Sequence, residues 1–291
     1  MRAAHISATS LVFLAVLVCA GCGGSSSATR DHRKPPPIRP IMIISGDDLG
    51  LLDQHYPTIV DQIYRSANAY VIGDADGHQD QVLPGSRAHP TLAYTSYARF
   101  RHDAITDRID PIVDTVMYNP ESWPRTPLDE RRDPHRYIHL FIRLAHRAGF
   151  KVIIAPGRDL ALTSRGCHKR PGETLDAAFL RCRYAADAVG TDMILLNTSA
   201  DELTTATLQR YVDKAETQIR RSQPHVTLLG LISTQPPSHA RAWPGGLVRA
   251  TRIQLHTLAG LALNVNPETA VLADDYLRDA QKAGLFTSRP S

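Results

Sequence analysis

Residues 116–127, VMYNPESWPRTP, set a lone carboxylate, Glu121, among three prolines and close to Trp123, one of only two tryptophans in the chain. A carboxyl group partly desolvated in a stiff loop has its pKa raised, which suits it to donate a proton. Glycosidic cleavage needs such an acid and a second carboxyl that acts as nucleophile or base. Asp159, in APGRDL, and Asp201 are the candidate partners, so the catalytic set is Glu121, Asp159 and Asp201. Plainer roles compete at each position. Glu121 can pair with Arg125 and Asp159 with Arg158, while Asp201 and Glu202 can answer the dipole of the helix that follows them.

The elements that must position these groups follow a repeating alternation. Short runs rich in Ile, Val and Leu, at 41–45, 69–73, 114–119, 151–156, 192–198, 227–233 and 261–266, are separated by longer amphipathic stretches. The helix windows are 54–66, 95–106, 134–148, 174–189, 203–221, 246–258 and 268–283. One unit shows the logic. Asp133 is a natural N-cap and Pro134 suits the first helical position. Ile138, Phe141, Ala145 and Ala148 then recur at helical spacing, and Gly149 stops the helix just before the next strand. Near-continuous apolar strands belong to a parallel sheet covered on both faces. This many β–α units fits an α/β fold of the (β/α) TIM-barrel type, with seven or eight strands, better than a doubly wound open sheet. Seven strands are visible. An eighth lies in the weakly patterned 74–94 segment, or the barrel is incomplete.

In such a barrel the residues just past each strand's C-terminal end converge on one mouth. That rule selects Asp47 and Asp48 after the first strand, then Asp74 and Asp76, then Tyr118, Asn119 and Glu121. Arg158 and Asp159 follow, then Asn197, Asp201 and Glu202, then Ser233, Thr234 and Gln235, and last Asn264 and Asn266. Carboxylates and amides bind hydroxyls and aromatic faces stack on sugar C–H surfaces, so the expected ligand is a carbohydrate or similar polyol. The expected substrate-binding residues are Asp47, Asp48, Tyr118, Asn119, Trp123, Arg158, Asn197, Gln235 and Asn264. No GxGxxG follows a strand, and there is no P-loop and no GxSxG elbow, so nucleotide binding and serine-esterase chemistry lack their usual signatures. No cofactor is expected.

Two resemblances bear on the reaction. IMIISGDDLG is similar to the metal-binding opening of certain barrel-like carbohydrate deacetylases, which implies Asp47 or Asp48 holding a divalent metal that activates water. Such enzymes also need paired histidines at the mouth. His135 and His139 instead sit on a helix placed outside the barrel, so no metal ligand is assigned. YNPESWPRTPLDERRDP followed by AHRAGFKVIIAPGRDL resembles a group of poorly characterised secreted actinobacterial proteins with glycoside-hydrolase-like barrels. That resemblance, over most of 41–283, implicates Glu121, Trp123 and Asp159, while Asn119 stands where the group has Asp. The layout of the better-known retaining glycosidase barrels, an Asn-Glu after strand four and a Glu after strand seven, is absent.

The ends of the chain carry an address. Arg2 and the apolar run at 11–20 form a secretory signal too short for a membrane span. Its end, CAGC, resembles the lipobox of bacterial lipoproteins, which implies cleavage after residue 21 and lipid on Cys22; ordinary secretion is the alternative. Residues 22–40, rich in Gly, Ser and Pro, read as a flexible tether, and 41–287 as one barrel domain. Outside the signal and Cys22 only Cys167 and Cys182 remain, in a compartment that permits disulfides, so a bridge between them is expected. Lys and Arg total 33 against 29 Asp and Glu, with no basic block longer than two, which argues against nucleic acid as a partner. The expected protein is an extracytoplasmic lipoprotein, touching the membrane through its N-terminal lipid only and acting on a carbohydrate. A non-catalytic carbohydrate-binding or cell-envelope lipoprotein and a metal-dependent deacetylase are the alternatives.

Overall fold

A computed structural model describes residues 39–75, 86–199, 204–235 and 242–286. Its strands are β1 (Ile41–Ser45), β2 (Ala69–Asp74), β3 (His89–Tyr94), β4 (Thr115–Tyr118), β5 (Lys151–Ile154), β6 (Met193–Leu196), β7 (Thr227–Ser233) and β8 (Gly260–Asn264). They pair in sequence order, all parallel, and β8 returns to β1 to close an eight-stranded barrel. The eighth strand is the one left open by the sequence pattern, in the 74–94 segment. Pro90 near its start and the absence of an Ile/Val run hide it, since proline in a run argues against a strand.

Around the barrel lie α1 (Gly46–His55), α2 (Pro57–Ile63), α3 (Tyr97–Ile105), α4 (Leu128–Arg132), α5 (Pro134–Arg147), α6 (Leu175–Cys182), α7 (Thr205–Ser222), α8 (Pro244–Thr257) and α9 (Ala270–Lys282). In α5, Asp133 accepts a hydrogen bond from Arg136 N, and Ile138, Phe141 and Ala145 are buried as the spacing requires. Ala148 is the exposed C-cap, and Gly149 takes a left-handed φ of 89° that ends the helix. The first helix is a correction: α1 begins directly at Gly46, so Asp47 and Asp48 lie in its first turn. Ser45 caps it by accepting from Asp48 N at 3.0 Å, and the two acids suit the positive end of the helix.

Two apolar clusters follow from the period of two along each strand. One set of side chains, including Ile43, Tyr70, Met117, Ile153 and Leu229, fills the barrel interior. The alternate set, including Ile44, Val71, Val116, Ile154 and Leu228, packs against the helices. Cys167 and Cys182 form the expected disulfide, which ties the segment after β5 to the end of α6. Among the described residues no helix is long and apolar enough to cross a membrane. Cys22, the signal and nearly all of the tether lie outside the described residues.

Candidate functional site

The inward-facing residues at the C-terminal ends of the strands line a cavity of about 360 Å³. Every strand or its immediate extension contributes to the floor, from Ile43 on β1 round to Ala262 on β8. Ala93, Ala155 and Ala262 are too small to fill the interior at this level, which leaves the space. One step higher the walls turn polar, with Ser45, Asn119, Asn197 and Asn264, and Asp48 and Glu121 bring two carboxyl groups.

The β4 loop places Glu121 by simple alternation. Met117, Asn119 and Glu121 face the cavity, while Tyr118 faces the helices. Past the end of β4 the chain stays zipped to the β5 extension, with Ala155 N donating to Tyr118 O and Gly157 N to Pro120 O, both at 2.9 Å. Glu121 N donates to the buried Thr126 Oγ1 at 3.1 Å, which pins the residue from its own loop.

Asp159 lies behind Glu121. One of its oxygens, Oδ2, accepts from Ser122 N at 3.0 Å, and the other, Oδ1, is buried without a hydrogen-bond partner. Gly157 separates the two acids. A β-carbon there would stand 2.5 Å from Asp159 Oδ1 and 2.7 Å from Glu121 Cγ, so those atoms lie within about 5 Å of each other. Burial first, and then the negative charge of Asp159, push the Glu121 carboxyl above its ordinary range, against a hydrogen bond from Asn119 that lowers it. Asp159 is also pushed up by burial, opposed by the backbone donor of Ser122. Asp159 is absent from the residues that line the cavity. Across the cavity Asp48 accepts from Val265 N at 3.1 Å, and burial pushes its carboxyl up too.

The tightness at Gly157 makes a test. Its φ of −64° suits alanine, so Gly157→Ala strains chiefly the two acidic side chains, with a lesser contact at 3.2 Å on the Cα of Glu121. Overpacking of this kind costs about 1–3 kcal/mol, and a displaced catalytic group about a hundredfold in rate. The expected result is a folded protein with a modestly lowered melting temperature and a large loss of kcat. An unchanged kcat would show that the spacing of the two acids is irrelevant.

A second cavity of about 250 Å³ adjoins the first, sharing Ser45, Ile72, Ala93 and Asn119 with it. Asp47, Asp74, Thr95, Trp123 and Arg125 also line it, with Gly46 and Gly73. The Arg125 guanidinium lies 5.3 Å from the Trp123 ring centroid and reaches Asp74 at 3.4 Å.

The expected substrate-binding residues divide. Asp48, Asn119, Asn197 and Asn264 line the first cavity, and Asp47, Asn119 and Trp123 the second. Tyr118 is a correction: it is 0% exposed, stacked on Phe141 and hydrogen-bonded to Glu130 at 2.7 Å, because its parity on the strand turns it outward. Arg158 is another, drawn away to an ion pair with Asp176 and the face of Tyr211. Gln235 lines neither cavity and is bonded to Asn266 and Ser233. Asp76, Asp201 and Glu202 fall outside the described residues. Sequence reasoning missed Ser199 and Gly157 in the first cavity, although counting by twos from Leu195 and Ala155 reaches both.

No group of three or more His, Cys, Asp or Glu side chains among the described residues could hold a metal ion. Among the described residues no histidine lines either cavity, and His135 packs 5.1 Å from Tyr184 in the outer layer.

No family model matches this chain, and no curated protein sequence matches it. Solved structures do resemble it. One is a sugar phosphate isomerase/epimerase from Parabacteroides distasonis, 12% identical with a TM-score of 0.47, covering 91% of this chain and 98% of that one. Another is the catalytic domain of a family GH18 chitinase from the fern Peteris ryukyuensis, 16% identical at a TM-score of 0.42, covering 80% and 77%. A psychrophilic family 10 endo-beta-1,4-xylanase is 12% identical at 0.44, covering 79% and 86%. These likenesses are of fold alone, and the chemistry rests on this chain's own residues.

Proposed function

We propose that this chain hydrolyses a glycosidic bond at the C-terminal mouth of its barrel, with Glu121 as general acid and Asp48 as the opposing carboxylate. Glu121 gives its proton to the glycosidic oxygen as the bond to the anomeric carbon breaks. Asp48 takes a proton from the water whose oxygen joins that carbon. The observation that carries this reading is Glu121 itself, a cavity-facing carboxyl whose burial and negative neighbour both favour the protonated form. Asp159, first in line as a partner by sequence, is then a positioning residue that keeps the proton on Glu121.

Asp48 is preferred as the partner because it faces the same cavity from another wall. Strands β1 and β4 stand three places apart in the ring. With strands about 4.8 Å apart and tilted by about 36°, such backbone positions face each other across roughly 14 Å. An inverting pair stands roughly 6.5–9.5 Å apart with a water between its members, and that is the separation this reading requires of Glu121 and Asp48.

The acid is competent while protonated, so kcat/KM falls as pH rises through the pKa of Glu121. Asp159→Asn removes a negative charge that raises this pKa, so it shifts the alkaline limb to lower pH, while burial still holds Glu121 above the ordinary range. The measurement is a pH profile of wild type and Asp159→Asn on aryl glycosides and cell-wall glycans. A limb that does not move would remove Asp159 from this role. Binding of glycans without turnover of any would replace hydrolysis by the non-catalytic carbohydrate-binding reading.

We also place the domain outside the cytoplasm, held by lipid on Cys22. The Cys167–Cys182 bridge supports the oxidising compartment, and the lipid rests on the apolar run and CAGC ending of the N-terminus.

A further inference from the structure

Glu121 and Trp123 alternate on one loop and open onto different cavities. Glu121 lines the larger one, Trp123 and Arg125 line the smaller, and Asn119 lines both. The cavities also share Ser45, Ile72 and Ala93, so they are neighbouring chambers of one mouth. We infer that the smaller chamber is a second sugar subsite, and that the ligand is a neutral oligosaccharide whose reacting bond passes Glu121 between the two chambers. This rests on the carbohydrate reading of the mouth.

The chemistry of the smaller chamber fits one uncharged pyranose unit. Trp123 offers an apolar wall, and Asp47, Asp74, Thr95 and Asn119 offer groups that bind hydroxyls. Among the described residues its ionisable groups are Asp47, Asp74 and Arg125, one negative charge in excess, which disfavours a uronic acid. Arg125 is the adjustable part. Its pair with Asp74 is exposed on both sides, a kind of contact that holds a side chain only weakly, so a ligand can take over either partner.

The test is calorimetric titration of the full chain carrying Glu121→Gln, which stops turnover. The probes are cello-, chito-, xylo- and malto-oligosaccharides of one to four units. In the series that binds, affinity is expected to rise about tenfold from one unit to two, a step worth one stacked ring and its hydrogen bonds. Arg125→Ala, at an exposed side chain, and Trp123→Ala should each shrink that step. A disaccharide ending in a uronic acid should bind no better than the single sugar. Affinity that is flat with length, or a step that survives both substitutions, overturns the second subsite and leaves the first cavity's reading intact. Failure of every oligosaccharide to bind overturns both.

Discussion

Glu121→Gln lowers kcat by about a thousandfold on a glycoside with a poor leaving group, with little change in melting temperature. The amide keeps the size of the carboxyl and its place at the cavity wall, but it carries no proton to give. Its effect therefore depends on the substrate. A dinitrophenyl leaving group departs without protonation, so the same variant should retain most of its rate there. An alkyl or sugar leaving group needs the proton and should show the full loss. The pattern separates a lost acid from a distorted site, since distortion slows both substrates alike. Equal losses on the two would reject Glu121 as the acid, and no loss on either would remove it from the mechanism. The burial that raises its pKa also predicts that the acid remains protonated at higher pH than an exposed glutamate does.

Much of the barrel was legible because its strands are short, apolar on both faces and followed by helices with clear caps. The runs 41–45 and 227–233 match β1 and β7 to the residue. β3 was not legible, because its burial comes from Thr91, Leu92 and Tyr94 after a proline and not from an Ile/Val run. Glu121 could be placed at the mouth from the end of β4 alone. Its neighbours could not, since they depend on how each strand leaves the barrel. After β5 the chain turns into a short 3-10 helix at Arg158–Leu162, which carries Asp159 behind Gly157 and sends Arg158 toward α6. After β1 the helix starts at once, and that brings Asp48 onto the cavity wall. Tyr118 was the avoidable error. The period of two that puts Met117 inside puts Tyr118 outside.

Glu130 escaped the sequence reading altogether, and it carries the largest expected effect on stability. It looks like one acid in the exposed run LDERR, yet it is 1% exposed and accepts four hydrogen bonds. Tyr97 N and Tyr118 Oη donate to Oε2, both at 2.7 Å, and Ser96 Oγ and Ala98 N to Oε1, both at 3.1 Å. The three donors at the start of α3 stand 32 to 34 residues away in sequence, so no local pattern announces them. The carboxylate caps α3 from another element and sits where the helix dipole favours negative charge. It also fixes the outward side of β4 just below the loop that carries Glu121.

Glu130→Ala leaves buried donors without an acceptor, at about 1–3 kcal/mol each before relaxation. Water entry and shared donors reduce the sum, so the expected loss is about 4 kcal/mol, a fall of roughly 8–16 °C in melting temperature. Glu130→Gln keeps the shape but turns an amide N–H₂ toward donors, and should cost about half as much. Tyr118→Phe removes one donor and leaves Glu130 three others, so it should cost about 1 kcal/mol in the wild-type background. In the Glu130→Ala background it should cost almost nothing, because the tyrosine hydroxyl there has already lost its acceptor. Denaturant melts of the two single variants and the double variant measure that coupling directly. Additive losses would mean that the Tyr118–Glu130 bond contributes little, and a Glu130→Ala loss below about 1 kcal/mol would mean that the four donors find other acceptors.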